Sequence, residues 1–404
     1  MQATIDSAKR AGAGWDWLAP VRAAVMLLVV ALLSGCSIGD MFNGRSAPQV
    51  DPQLPQVSPT AAKVALILPL TGQGETARIG VALKQAAELA LFDATDPDIE
   101  LITKDSGGTP QGAAAAASAA LAEGAEIILG PLLASEVQAV SAVARQGNVP
   151  VVAFSTIGSV AGSGVYLLSF LLEEEVAQIV RYAVDNNGRR IAALLPDSPF
   201  GTTVERALAS SAKVYGAGLV AVERYAATSQ ALGDAANRIA QAVREGAVEA
   251  VMIPDGGEAL RQAGFALQQA GVSPGQIRVL GTGAWDDARI GTIPIAVGGW
   301  FAGVPIELLS RFQERYSKTY FSQPPRIASL AYDAVSLAII LGRDSSGQRF
   351  SAAKFTDPEG FQGINGLFRF RPNGLVERGL AILEVTPTGP RVIAPAPARF
   401  GAGF

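Results

Sequence analysis

The chain has 404 residues with 32 basic and 36 acidic side chains, a net charge of −4, no histidine and a single cysteine. Without histidine there is no Ser-His or Cys-His catalysis, no imidazole acid-base chemistry and no histidine-bound metal, and a mildly acidic balance with scattered Lys and Arg leaves no footprint for nucleic acid. The 49% hydrophobic content supports a sizeable core, and the length favours two domains.

At the N-terminus, Lys9, Arg10 and Arg22 precede an uncharged apolar stretch over 23–33. A membrane-spanning helix needs about 20 such residues, so this shorter stretch reads as the h-region of a secretion signal. It runs into Leu33-Ser34-Gly35-Cys36, which resembles the lipobox of bacterial lipoproteins. That resemblance implies a signal peptide over 1–35, diacylglycerol on the Cys36 sulfur and a membrane anchor through the lipid. An acylated Cys36 leaves no free thiol, disulfide or thiolate metal ligand. Residues 36–62 carry Pro48, Pro52, Pro55 and Pro59 with few large apolar side chains, and read as a semi-extended tether.

From Lys63 onward strands and helices alternate. Val64-Ala65-Leu66-Ile67-Leu68 is a short apolar run of the kind a buried parallel strand shows, and Ile79, Leu83, Ala86 and Ala90 recur at helical spacing. A strand at 99–102, an alanine-rich helix over 110–123 closed by Gly124, a strand at 126–129, a helix over 136–145 and a strand at 149–154 follow. The pattern restarts with a helix through Val176, Ile179, Val180 and Ala183, opened by Glu173-Glu174-Glu175, whose carboxylates suit a helix N-terminus. Strands at 191–195, 218–222, 248–253 and 277–280 alternate with helices over 202–215, along Leu232 to Val243, and over 259–270. Such spacing means βαβ units and two successive α/β lobes with parallel sheets. After Asn365-Gly366, the runs 367–370 and 380–385 about the turn Pro372-Asn373-Gly374 read as a β-hairpin, and Pro387 onward as a proline-rich tail.

Ligands of parallel α/β sheets sit beyond the carboxyl ends of the strands. Those ends present Thr71, Ser135, Ser155 and Thr156 in the first lobe, and Asp197, Asp255, Trp285 and Asp286 in the second. Hydroxyls and free amides at helix N-termini suit a carboxylate or other anion, although the simplest role for any one of them is a helix N-cap. Trp285 is either a stacking platform or a buried hinge aromatic. Gly72-Gln73-Gly74-Glu75-Thr76-Ala77 fits G-x-G-x-x-A, but Pro69 to Thr71 separate it from the strand, so no nucleotide cofactor is expected.

Pro69-Leu70-Thr71-Gly72, Ile128-Leu129-Gly130-Pro131-Leu132, Pro150-Val151-Val152 and Ala331-Tyr332-Asp333-Ala334-Val335 resemble the leucine/isoleucine/valine-binding group of type I periplasmic binding proteins, in order and spacing over 63–385. Within that group, Asp197-Ser198-Pro199-Phe200-Gly201, Gly281-Thr282-Gly283-Ala284-Trp285-Asp286-Asp287 and Gly366-Leu367-Phe368-Arg369-Phe370 look most like lipoproteins called penicillin-binding-protein activators. The resemblance implies two Rossmann-like lobes joined by a multi-strand hinge. The first would comprise 63–169 and 300–357, the second 170–299 and 358–394, with a tail over 395–404.

By the same resemblance, Ser135 and Ser155-Thr156 match positions that hold an amino-acid ligand's α-carboxylate. The second lobe departs from the pattern. The acidic residue that receives the ammonium falls near Gly283, and Asp255, Asp286 or Asp287 would have to compensate. The activator likeness implies a non-enzymatic regulator of a peptidoglycan synthase. The wider group implies the substrate-binding receptor of an ABC importer for amino acids or similar solutes, partnered by its permease. No catalytic residue, metal or cofactor is expected. Ser37 after Cys36, rather than aspartate, points to the outer membrane in a Gram-negative envelope.

Overall fold

The computed structural model describes residues 61–287, 289–344 and 347–400. The expected signal, Cys36 and nearly all of the tether lie outside the described residues. The first lobe is built from β1 (Ala62–Leu68), α1 (Gly74–Asp93), β2 (Ile99–Asp105), α2 (Pro110–Ala122), β3 (Ile127–Leu129), α3 (Ala134–Ala144), β4 (Val151–Ala153) and β5 (Val165–Leu167). Its sheet is parallel throughout, in the order β2-β1-β3-β4-β5. Helix boundaries follow local chemistry. Thr109 caps α2 by accepting from Gly112 N at 3.1 Å, Pro110 pre-sets the first turn, and Gly124 at φ 86 leaves the helix behind.

The second lobe holds α4 (Leu172–Asp185), β6 (Arg190–Pro196), α5 (Pro199–Tyr215), β7 (Gly218–Tyr225), α6 (Ser229–Arg244), β8 (Ala250–Met252), α7 (Gly257–Gln269), β9 (Arg278–Gly281) and β10 (Trp300–Gly303). The chain then returns to the first lobe as α8 (Ile306–Tyr320) and α9 (Ala328–Gly342). There the Tyr316 and Tyr320 hydroxyls bond Gln85 of α1. A short α10 (Ala352–Phe355) leads into an antiparallel three-stranded sheet, β11 (Phe361–Gly363), β12 (Gly366–Phe370) and β13 (Val376–Arg378). Strands β14 (Ala381–Thr386) and β15 (Gly389–Ala394) complete the second sheet, ordered β15-β14-β10-β9-β8-β6-β7. The chain thus crosses between lobes after β5, after β10 and after β13, which makes a three-segment hinge. One apolar core runs through it, from Leu66 and Leu83 past Val176 and Ile179 to Phe355 and Phe370.

Four expectations are corrected. Residues 300–303 belong to the second sheet rather than the first lobe, because Trp300 and Phe301 pair with Leu280 and Gly281. Residues 361–378 border the first lobe, through the bridge Leu167↔Leu375, and Tyr166 stacks on Phe355 at 4.5 Å. The hairpin partner of β12 is β13, closed by Arg371 N to Leu375 O at 2.8 Å, and not the run 380–385. Ala381, Ile382, Leu383 and Val385 are all buried, so they need strands on both sides, which β10 and β15 supply. The expected tail is an edge strand as far as Ala394, where Pro390 is tolerated, and Phe400 beyond it is buried with the Arg369 guanidinium 4.3 Å above its ring.

Candidate functional site

All the strand-end candidates lie at the carboxyl edges of the two parallel sheets. At the first-lobe edge, Asp105 accepts from Leu70 N at 2.8 Å, Thr71 N at 3.2 Å and Gly107 N at 2.8 Å, and from the Thr71 hydroxyl. Burial pushes this carboxyl up, but those hydrogen bonds outweigh it and hold it below the usual carboxylate range. A hydroxyl has one proton, and that of Thr71 is committed to Asp105. Thr71 therefore pins the β1 loop and has no donor left for an anion.

Ser135 stands exposed in the first turn of α3, where backbone amides have no intrahelical partner. The approach to that turn requires Gly130, which sits at φ 87 with a cis bond to Pro131, and whose Cβ would fall 2.2 Å from Ile67 O. Its neighbour Glu136 is fully buried. One carboxylate oxygen takes Leu133 N at 3.2 Å, the Ser106 hydroxyl lies close by, and burial raises its pKa against both. Ser155, at the end of β4, is buried and accepts from Ile157 N at 3.2 Å. Its own proton has no acceptor among the described residues, and Thr156 beside it is exposed. Ser135, Ser155 and Thr156 thus remain as donors on one edge.

The second-lobe edge is occupied differently. Trp285 is fully buried against Phe301, with ring centroids 6.2 Å apart, and donates to Asp255 O at 2.9 Å. A Cβ at Gly281 would stand 2.1 Å from the indole, so the strand end is shaped around this ring. Trp285 cannot offer a face to a ligand; the expected platform is a core aromatic. Asp255 is half-buried, takes the Tyr225 hydroxyl at 2.8 Å and lines a groove between α6 and α7.

Near Gly283 a carboxylate is present after all, delivered from another element. Glu175 of α4 accepts Gly283 N at 2.8 Å, and Arg326, just before α9, donates to Gly283 O at 3.0 Å. Arg326 also stands 4.0 Å from Glu175 and 3.9 Å from Asp286, so a first-lobe cation clamps a second-lobe loop. Burial raises the Glu175 pKa, opposed by Arg326 and by the Gly283 amide. Behind this clamp Arg378 is buried with Phe170 at 4.9 Å and donates to Ser169 O at 2.9 Å. Its charge faces Asp333, which accepts Ile364 N at 2.7 Å and Asn365 Nδ2 at 2.8 Å. By its position in the chain Glu175 carries a helix-dipole role only. Its place one residue before Val176, on the stripe that continues to Ile179 and Val180, was the signal that it points inward.

Among the described residues, no group of three or more acidic, His or Cys side chains could hold a metal, and no helix is long and apolar enough to cross a membrane. The family model described as periplasmic binding protein matches residues 61–390. The chain belongs to the periplasmic binding protein family.

Solved structures agree on the type I fold of this family. A putative branched-chain amino acid ABC transporter protein from Rhodospirillum rubrum has TM-score 0.72 and 18% identity, covering 82% of this chain and 100% of its own. An ABC transporter substrate-binding protein from Sphaerobacter thermophilus gives 0.65 and 20%, covering 84% and 98%. A solute-binding protein from Rhodopseudomonas palustris, solved with 3,4-dihydroxy benzoic acid, gives 0.58 and 20%, covering 85% and 98%. No curated protein matches the chain. The two-lobed α/β architecture expected from the resemblance is therefore this protein's fold. None of these three structures is named as a penicillin-binding-protein activator, so that narrower likeness rests on the sequence motifs alone.

Proposed function

We propose that this periplasmic binding protein is the solute receptor of an ABC importer and that its interlobe cleft takes a small carboxylate. The observation that carries the reading is the set of uncommitted donors at one edge of the first sheet. Ser155 keeps its proton, Thr156 is exposed beside it, and Ser135 opens α3. Donors of this kind recognise a carboxylate. On the other side Glu175 is already bonded to Gly283 and faces Arg326, so it is not a free counter-charge for an ammonium. Asp286 stands 3.9 Å from the same Arg326, so it is no freer as a counter-charge there. A relative solved with a hydroxylated benzoic acid fits a carboxylate that carries no amine. The chain works without catalysis, in the cell envelope facing the periplasm, held through a lipid on Cys36, with an importer permease as partner. No structural observation favours the synthase-regulator alternative.

Calorimetry on the full chain with amino acids, aromatic carboxylates and peptidoglycan fragments tests this. A ligand at 100 times its dissociation constant adds about 2.7 kcal/mol to stability, so a thermal screen precedes it. Binding of a carboxylate is expected. Binding of peptidoglycan fragments alone would return the protein to the synthase-regulator reading, and absence of any ligand would remove the receptor reading. Mass spectrometry of the mature protein checks the anchor; an unmodified thiol at Cys36 refutes it.

A further inference from the structure

Between α6 and α7 runs a groove of about 1000 Å³. It exists because the facing positions are small. Gly233, Ala259 and Ala266 line it, and nothing lies within 4 Å of where a Cβ on Gly233 would stand. Phe265 forms part of the wall with 62% of its surface exposed, large for an aromatic side chain on a helix of a soluble lobe. One end of the groove is polar. There the half-buried Asp255 carboxylate meets the Tyr225 hydroxyl, a neutral donor, and has no Lys or Arg partner among the described residues. The other acid of the groove, Glu258, is met by Arg261 at 3.3 Å. The volume is at the upper end for small-molecule sites, which are mostly apolar with a few placed polar groups.

We propose that this groove is a second binding site, separate from the interlobe cleft, for an organic cation: an amine or guanidinium on an apolar chain or ring. The cation pairs with Asp255 at the polar end, and the apolar body lies along the alanine-lined floor against Phe265. Charge complementarity sets the class of ligand. A single uncompensated carboxylate at the end of a mainly apolar channel, with Asn237, Gln262 and Gln269 along its wall, favours a cation over an anion or a neutral alcohol of the same shape. Burial raises the Asp255 pKa, so cation binding weakens as acid protonates it.

The test uses the full chain and 4-phenylbutylamine as probe, with 4-phenylbutanol and 4-phenylbutanoate as isosteric controls, followed by calorimetry and by NMR line-broadening of the probe. Saturable binding of the amine is expected, with the two controls at least about tenfold weaker. Asp255→Asn keeps the size and the Tyr225 contact and is expected to weaken the amine about tenfold or more. Gly233→Leu fills the groove from a helical position with open space, so the fold should survive, and amine binding should vanish. Ser155→Ala, which alters the cleft, is expected to leave the amine affinity unchanged. The proposal is overturned if the amine does not bind, if alcohol and amine bind equally, or if Gly233→Leu leaves binding intact in a folded protein. Loss of amine binding in Ser155→Ala would place the amine in the cleft, and overturns it too.

Discussion

The carboxyl edges of the two sheets are the same feature of the fold and have been put to opposite uses. In the first lobe the exposed strand-end carboxylate, Asp105, is saturated by three amides and a hydroxyl, which leaves Ser135, Thr156 and the buried Ser155 as donors. In the second lobe the edge is closed over: Trp285 is interred, Glu175 is bonded to Gly283, and Arg326 arrives from the other lobe to bridge them. One edge keeps hydroxyl donors that no internal acceptor among the described residues has taken. The other, Asp255 apart, has its charges matched internally. The difference teaches that strand-end position locates candidates, whereas the hydrogen-bond inventory decides which of them are still available.

The largest effect that would break this comparison is expected behind the clamp. Arg378 is 3% exposed and its charge opposes Asp333, which is 1% exposed and held by two N–H donors. Burial draws the Arg378 pKa down to about 10, so it remains charged at neutral pH. The two are not in direct ion-pair contact, and both terminal nitrogens of Arg378 are buried without a hydrogen-bond partner among the described residues, so removing its charge costs about 1–3 kcal/mol through the Asp333 carboxylate left without an opposing cation. Arg378→Met should lose that much in urea unfolding. A loss below about 1 kcal/mol would show that the hinge charges are not coupled.

The next contrast sets two hydroxyls of the first edge against each other. Hydrogen bonds to a charged group contribute about 1.5–3 kcal/mol, so Ser155→Ala should weaken a bound carboxylate by roughly 10- to 150-fold. Thr71→Val should leave the affinity unchanged, because its proton already serves Asp105. It should instead raise the Asp105 pKa, seen by carboxyl NMR titration. Equal effects of the two substitutions on affinity would mean that the loop after β1 also touches the ligand.

How much of this was legible in the sequence differs between the same two regions. The alternation from Val64 to Leu280 exposed the lobes because each βα unit carries its own periodicity, and caps such as Thr109 and Ser198 are local. What stayed hidden depends on pairing between distant segments. Trp300–Gly303 is four residues long and reads as neither strand nor helix until β9 and β14 flank it. The Glu175–Gly283 bond spans 108 residues and the Arg326–Gly283 bond spans 43, so no spacing rule exposes them. Trp285 was open between platform and core because an aromatic at a strand end fits either. The glycine at 281 settled it, by leaving the room that the indole fills.

The clamp itself can be sharpened. Arg326→Met removes the donor to Gly283 O and the cation near Glu175, and should cost about 1–2 kcal/mol. Its sign with pH is the more telling readout. Burial raises the Glu175 pKa, and Arg326 opposes that rise. Without Arg326 the folded state holds the Glu175 proton more tightly than the unfolded state does. The variant's stability should therefore increase, relative to the parent, as pH falls from neutral toward the ordinary carboxylate range. A variant whose stability deficit is independent of pH would show that Arg326 acts by packing over Phe170, 4.4 Å from its ring, and not by charge.

The smallest expected effect lies at the first edge. Glu136 is fully buried, and burial holds its pKa above the ordinary carboxylate range against the Ser106 hydroxyl and the Leu133 amide. A carboxyl whose folded pKa exceeds its unfolded one is a penalty at neutral pH, and the penalty fades as pH falls through the folded value. Glu136→Gln keeps the acceptor for Leu133 N and removes the desolvated charge. It should therefore stabilise the chain at pH 7 by about 1 kcal/mol, with the gain shrinking as pH approaches the unfolded carboxylate value. It should also leave the carboxylate ligand bound at least as tightly, since a nearby negative charge is lost while Ser135 and Ser155 are untouched. Thermal unfolding of both proteins across that pH range, with and without ligand, gives the answer. Destabilisation by Gln at neutral pH would mean that the Leu133 amide and the Ser106 hydroxyl together hold the Glu136 carboxylate more strongly than burial penalises it.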